Sequence, residues 1–320
     1  MQTQPWSICR QLELWGPESR FETLSVPQAM NYCRQFTRAH YENFSVASFL
    51  IPRSVREHFY PIYAYCRWAD DLGDEIGSCS ESLQLLDWWE TQLNRCYAGR
   101  TGESSGSEPI HPVFTALEPT IREFGMPREL FADLLDAFRL DQRKREYQTR
   151  EELLEYCRLS ANPVGRLILY LARTTDETSL TLSDSICSSL QLANHWQDVG
   201  RDKRRVEDSG RRCGRRYIPL EDMAAVGYSL DDYEAERCND AFRQLMFRLT
   251  DWAQEGFTQG KALVNRVPKS FQTDIRLFIG GGEAILKAIR RQGGNVWAHR
   301  PTVSKAQKIA LLIRAILNIQ

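Results

Sequence analysis

Two acidic stretches about 120 residues apart hold the side chains best suited to chemistry. The first reads Asp70-Asp71-Leu72-Gly73-Asp74-Glu75, and the second Asn194-His195-Trp196-Gln197-Asp198-Val199-Gly200-Arg201-Asp202. Residues four apart share one face of a helix. Asp70 thus sits one turn from Asp74, and Asn194, Asp198 and Asp202 form a ladder about 12 Å long. Asp71 points about 100° away from the first face. Carboxylates stacked at this spacing repel each other and cost helix stability. A divalent cation offsets that cost. Oxygen donors suit magnesium, which takes one or two carboxylates and fills its shell with water and substrate phosphate. Two such faces turned toward each other would line a pocket for a diphosphate.

Solvated acidic faces are ordinary on helices, but these two are embedded in apolar sequence. Tyr63-Ala64-Tyr65-Cys66-Arg67-Trp68-Ala69 precedes the first, and Leu190-Gln191-Leu192-Ala193 precedes the second. Carboxylates among apolar residues are expensive unless paired or metal-bound. Asp70, Asp74, Asn194, Asp198 and Asp202 are therefore the expected Mg2+ ligands. Arg67, one turn before Asp70, is placed to pair with it or with a phosphate. Tyr63 lies one turn before Arg67, and Gln191 one turn before Asn194. His40 and His195 border the expected site and could touch phosphate. His58, His111 and His299 have no visible partner constellation and read as structural.

The elements that must position these side chains are helices, because apolar residues recur at helical spacing almost throughout. One helix is expected after Pro27 to about His40. A second opens on the capping-box pattern Ser54-x-x-Glu57 and runs to about Ile76, with Gly77 as its stop and Pro61 kinking it early. Further helices fit 80–98, 112–124, 127–142, 149–174 with a break near Pro163, 180–202, 230–264, 269–291 and 303–318. Residues 41–52 and Ala98 to Glu108 read as loops. Gly280-Gly281-Gly282 falls in an apolar helical pattern and reads as close helix packing or a kink. The sequence thus predicts an all-α fold, with one helical domain over 25–320 and an N-terminal extension over 1–24.

Composition narrows the function. The 320 residues are 42% hydrophobic and 26% charged, with a net charge of -1. No global basic field draws in a nucleic acid, so none is expected as a partner. Nine cysteines include no C-x-x-C pair and no zinc spacing, which fits reduced thiols in a cytoplasmic protein. The first residues carry no secretory pattern, and the longest dense apolar run, Leu167 to Ala172, is far short of a membrane span. Peripheral contact with a membrane surface stays open, although neither an anchor nor a strongly amphipathic basic helix stands out. Serine-hydrolase, P-loop and dinucleotide fingerprints are absent.

The motifs resemble the squalene and phytoene synthase family of isoprenoid enzymes. The first acidic stretch, with Tyr63-x-Tyr65-Cys66-Arg67 before it, resembles that family's first Asp-rich motif, and Gln191 through Asp202 its second. Tyr156-Cys157 with Val164-Gly165, and Tyr217-Ile218-Pro219, resemble further family segments. The likeness spans roughly residues 25–305. Tyr41 to Ser48, Ser160 to Leu167 and Asn194-His195-Trp196-Gln197-Asp198 resemble the bacterial hopanoid-pathway subgroup of hydroxysqualene synthases. Two positions depart from the family: Gln197 stands where many members carry Arg, and Glu42 where some relatives are basic. The basic segment Lys203 to Arg216 is longer than usual and reads as a flap, a lipid contact or a solvated loop.

The resemblance implies an isoprenoid-synthase-type helical bundle around a central cavity. It implies a prenyl diphosphate substrate, either presqualene diphosphate or farnesyl diphosphate, bound through Mg2+. Arg67, Gln191, His40, Tyr41, Asn43 and Tyr217 are then expected at the diphosphate. Phe44, Tyr63 and Tyr156 are expected to offer aromatic faces to the carbocation left behind. The implied reaction converts presqualene diphosphate and water to hydroxysqualene and diphosphate. A lack of a dinucleotide fingerprint favours that water-quenched outcome over a reductive one. Head-to-head condensation of two prenyl diphosphates is the nearest alternative, and a non-catalytic assembly factor of the same fold is an alternative of another class. Coupling to other squalene-pathway enzymes is also expected.

Overall fold

In the computed structural model, residues 5–40, 51–99, 109–204 and 214–317 are described. Among them are fourteen α-helices and one 3-10 turn, with no strand beyond an isolated bridge between Glu146 and Arg216. Most of the loops expected over 41–52 and 98–108 (41–50 and 100–108), and most of the basic segment (205–213), lie outside the described residues. The chain divides into two compact units, Met1–Gln142 and Arg143–Gln320.

The first unit contains α1 (Ile8–Trp15), α2 (Val26–His40), α3 (Arg56–Asp74), α4 (Cys79–Ala98), α5 (Pro112–Phe124) and α6 (Arg128–Arg143, whose last residue begins the second unit). α3 packs against α2, α4 and α5. Its buried face carries Tyr65 and Trp68, both with no exposed surface. Trp68 stacks on Trp89 of α4 at 5.1 Å, and Tyr65 meets Phe131 of α6 edge-on at 5.0 Å. Three polar side chains of this core form a relay, which offsets the cost of burying them. Trp68 Nε1 donates to Tyr32 Oη at 3.1 Å, and Tyr32 donates to Gln11 Oε1 at 2.7 Å. Gln11 lies on α1, so the N-terminal segment is packed into this core. The expected capping box does not form: α3 begins at Arg56 after Val55, with no side-chain cap, and ends at Asp74, before Gly77. Pro61 lies inside α3.

The second unit contains α7 (Arg150–Ser160), α8 (Asn162–Leu171), α9 (Glu177–Lys203), α10 (Leu220–Ala225), α11 (Leu230–Glu234), α12 (Asp240–Gly260), α13 (Lys269–Arg291) and α14 (Lys305–Leu317). α9 is its axis and packs on α7, α8, α12 and α13. Asp176 starts α9 by accepting the Ser179 N–H at 3.1 Å, a normal N-cap. The expected helix over 149–174 is broken at Ala161. The expected helix over 230–264 is broken between Glu234 and Asp240, where Glu236 takes φ 52° and Asn239 caps α12 by accepting the Phe242 N–H at 2.9 Å.

Close approach of α8 and α9 explains Gly165. A Cβ there would lie 2.3 Å from Cys187 Sγ and 2.5 Å from Ser183 Oγ. A Cβ at Gly282 would lie 2.2 Å from the Phe257 ring, so the glycine run serves helix packing at that position.

Candidate active site

In the first unit, α3 holds Arg67 in a fan of carboxylates. Its guanidinium lies 3.2 Å from Asp70 Oδ2 and 3.0 Å from Glu75 Oε1, and it pairs closely with Asp71. Asp70 and Asp74 share the outer face, as their spacing predicts. The Asp70 side chain is 43% exposed, yet surrounding protein mass, and then the neighbouring charge of Asp74, push its carboxyl up to about 6. A bound cation would relieve both causes, so this donor pair fits a divalent metal.

Asp71 is the buried carboxylate of the stretch, 1% exposed, with its carboxyl raised to about 8 by burial against the opposing pull of Arg67. Sequence reasoning missed its role, though the signal was present: Arg67 and Asp71 are four apart and meet on one face. His40 Nε2 lies 4.0 Å from Asp71 Oδ2, while His40 Nδ1 contacts the Phe36 carbonyl at 3.0 Å. Burial holds the His40 imidazole below its ordinary value. Tyr63 is half-buried, and its hydroxyl donates to the His40 carbonyl at 3.5 Å. Tyr63, Arg67, His40, Asp70 and Asp74 are thus gathered around the end of α2 and one side of α3. Tyr41, Asn43 and Phe44 lie outside the described residues.

In the second unit, α9 carries Gln191, half-buried, and Asn194, exposed. Asp198 is 4% exposed, and Asp202 is half-buried. A buried carboxylate needs a partner, and here it is Arg300, from the segment before α14. Arg300 Nε donates to Asp198 Oδ1 in a short bond, and Nη2 donates to Oδ2 at 3.0 Å. The same Nη2 donates to Gln197 Oε1 at 3.1 Å, while Gln197 Nε2 donates to the Pro301 carbonyl at 2.5 Å. Gln197 therefore grips an arginine supplied from elsewhere in the chain. No sequence signal pointed to Arg300.

Tyr156 and Tyr217 are brought together in a buried aromatic cluster with Tyr147 and His195. Their ring centroids lie 5.6 Å apart, and His195 stacks on Tyr217 at 3.7 Å. Burial, and then the charge of Arg215, lower the His195 imidazole to about 3, so it is neutral near pH 7. A neutral ring is a weak partner for phosphate. The Tyr217 segment is fastened to the start of α7: Arg150 forks onto Asp222 at 2.7 to 3.1 Å, and the Leu220 N–H donates to the Tyr147 carbonyl at 3.0 Å.

The donors expected for a metal are hard oxygens, carboxylates plus the Asn194 amide. Among the described residues no three His, Cys, Asp or Glu side chains are grouped so as to hold a metal ion by themselves. Magnesium needs only one or two carboxylates, because water and phosphate oxygens fill the rest of its shell. Asp198 accepts from Arg300 and still has lone pairs for a cation.

Known proteins resemble this chain along most of its length. The squalene/phytoene synthase family profile matches residues 37–307. Over 227 residues the chain is 34% identical to a hydroxysqualene synthase of Sinorhizobium fredii, covering 71% of each protein. Over 295 residues it is 28% identical to a phytoene synthase of Arthrospira platensis, covering 89% of this chain and 92% of that protein. Squalene synthase HpnC from Alicyclobacillus acidocaldarius has a crystal structure that superposes with a TM-score of 0.74 at 43% identity, covering 84% of this chain and 95% of that one. With an all-α, isoprenoid-synthase-type fold, the chain belongs to the squalene/phytoene synthase family, prenyltransferase-type enzymes that act on prenyl diphosphates.

Proposed function

We propose that this chain is a magnesium-dependent hydroxysqualene synthase. It converts presqualene diphosphate and water to hydroxysqualene and diphosphate, a carbon–oxygen lyase step in squalene and hopanoid biosynthesis. The observation that carries the reading is the Asp198–Gln197–Arg300 knot on the second acidic ladder, which sets a cation and a carboxylate side by side next to Asn194 and Asp202. Likeness to hydroxysqualene synthases and to HpnC squalene synthase supports the choice of product.

Asp70, Asp74, Asn194, Asp198 and Asp202 would hold Mg2+, which when bound neutralises charge on the departing diphosphate. Arg67 and Arg300, each held in place by carboxylates, donate charge-assisted hydrogen bonds to phosphate oxygens. His40, Tyr41, Asn43, Gln191 and Tyr217 are assigned to the same diphosphate. The substrate C–O bond breaks with its electron pair going to diphosphate, leaving a carbocation. Phe44, Tyr63 and Tyr156 offer aromatic faces to that cation. The cation rearranges as its cyclopropane ring opens, water adds to the carbon that then carries the charge, and the surplus proton leaves with the diphosphate. A product this apolar moves into lipid, so we place the enzyme in the cytoplasm with peripheral contact to the inner membrane, coupled to the other squalene-pathway enzymes.

The test is product analysis by mass spectrometry. The pure protein is incubated with Mg2+ and either presqualene diphosphate or farnesyl diphosphate alone. Hydroxysqualene from presqualene diphosphate is expected. Conversion of farnesyl diphosphate without a partner enzyme overturns the reading in favour of head-to-head condensation.

A further inference from the structure

The three most exposed large apolar side chains among the described residues all lie on one helix. On α14, Ile309 is 59% exposed, Ile313 50% and Ile316 57%. Spacings of four and three put them on one face, which exposed Ala306 and Ala310 widen. The opposite side of α14 is also apolar. Ala315 is buried, and Leu311 lies against Gly280 of α13. A helix apolar on both sides belongs in an interior or against another apolar phase, and among the described residues only one side of α14 is covered.

Charge identifies the missing phase. The last 37 residues, Ala284–Gln320, contain seven Lys or Arg and neither Asp nor Glu, in a chain whose net charge is -1. On α14 itself, Lys305 and Arg314 flank the isoleucine face and Lys308 lies beyond it. Among the described residues none of the three forms an ion pair. A second copy docked on this face would set like charges together, and α14 carries no Asp or Glu to answer them.

We propose that the outward face of α14 is a docking surface for an anionic lipid bilayer. The isoleucines enter the boundary between headgroups and acyl chains, and Lys305, Lys308 and Arg314 pair with lipid phosphates. No helix among the described residues is long and apolar enough to cross a membrane, so the contact is one of lying on the surface. The surface stands independently of the chemistry assigned to the acidic helices.

Cosedimentation of the full chain with vesicles tests the proposal. Binding to vesicles of phosphatidylcholine mixed with phosphatidylglycerol is expected, weakened about tenfold for pure phosphatidylcholine and weakened again by added salt. The variant Ile309→Ser/Ile313→Ser/Ile316→Ser loses binding about tenfold or more with an unchanged melting temperature. A second variant, Lys305→Glu/Lys308→Glu/Arg314→Glu, leaves the apolar face intact and loses binding to the anionic vesicles, so the test does not depend on one variant folding. Absence of wild-type binding to either vesicle overturns the proposal, as does equal binding by wild type and both variants. A dimer in sedimentation velocity that the serine variant dissociates, with no vesicle binding, overturns it in favour of self-association.

Discussion

Arg300 reaches back across 102 residues of chain to lie over the Asp198 carboxylate. The pair solves two problems together. It compensates a carboxylate that is 4% exposed, and it puts a guanidinium beside Gln197, where the side chain itself carries no charge. Gln197 acts as the bracket, accepting from Arg300 and donating to the carbonyl of the next residue, Pro301. Asp198 depends on Arg300 more than the reverse: among the described residues the buried carboxylate has only Arg201, at 4.0 Å, as a second cation, whereas the Arg300 side chain is 46% exposed and keeps its bond to Gln197.

Arg300→Ala is therefore expected to lower kcat/KM for presqualene diphosphate about 100-fold, roughly 3 kcal/mol. Arg300→Lys restores the charge but not the planar fork, so it recovers only part of the loss. Steady-state diphosphate release measures both variants. Full activity in Arg300→Ala with only a lowered melting temperature would reduce the residue to a structural role.

Asp70 tests the metal assignment by a readout separate from turnover. Mg2+ together with inorganic diphosphate is expected to raise the melting temperature of the wild-type protein by mass action. Asp70→Asn and Asp198→Asn each remove a hard anionic donor. Both should lose most of that rise and at least about 100-fold in turnover. Equal metal-dependent stabilisation in wild type and both variants would sink the assignment.

Local pattern made most helices legible. The apolar spacing that suggests 80–98 and 269–291 gives α4 at Cys79–Ala98 and α13 at Lys269–Arg291, because helix stripes are written in consecutive sequence. Errors fall where a cap decides. Ser54 and Glu57 have the capping-box spacing, but the chain enters α3 through Val55 with no side-chain bond. Asn239 does cap α12, yet the apolar pattern runs across the break and hides it. In the site, Asp71 lies off the Asp70–Asp74 stripe, so the spacing of the expected ligands does not include it. Arg300 was hidden by distance, since a tertiary partner a hundred residues away leaves no periodic trace. The α14 face escaped notice because its basic residues are few and its apolar positions surround the helix.

Gly165 offers a test of how tightly α8 is set against α9. The Cβ of Gly165→Ala would meet Cys187 Sγ at 2.3 Å and Ser183 Oγ at 2.5 Å, and neither atom belongs to a long flexible side chain. Overpacking of this kind costs about 1–3 kcal/mol. Urea denaturation should show that loss, with partial recovery when Cys187→Ala is added to remove the nearest atom. Additive losses in the double variant would place the strain elsewhere.

Asp274 on α13 should give the protein a pH-dependent stability that has nothing to do with the acidic ladders. The residue is 5% exposed, its Oδ1 has no hydrogen-bond partner among the described residues, and burial raises its carboxyl to about 7. A carboxyl raised in the fold favours the protonated form there. Between the unfolded value near 4 and the folded value near 7, the native state holds a proton that the unfolded chain has released. Stability therefore falls as pH rises through this window, by an amount on the order of a few kcal/mol, and levels off above it. Asp274→Asn cannot ionise and lacks that decline. The variant's gain over wild type in urea midpoint should be larger at pH 8 than at pH 5. Parallel pH profiles for the two proteins would mean that Asp274 stays ionised and paired in the fold.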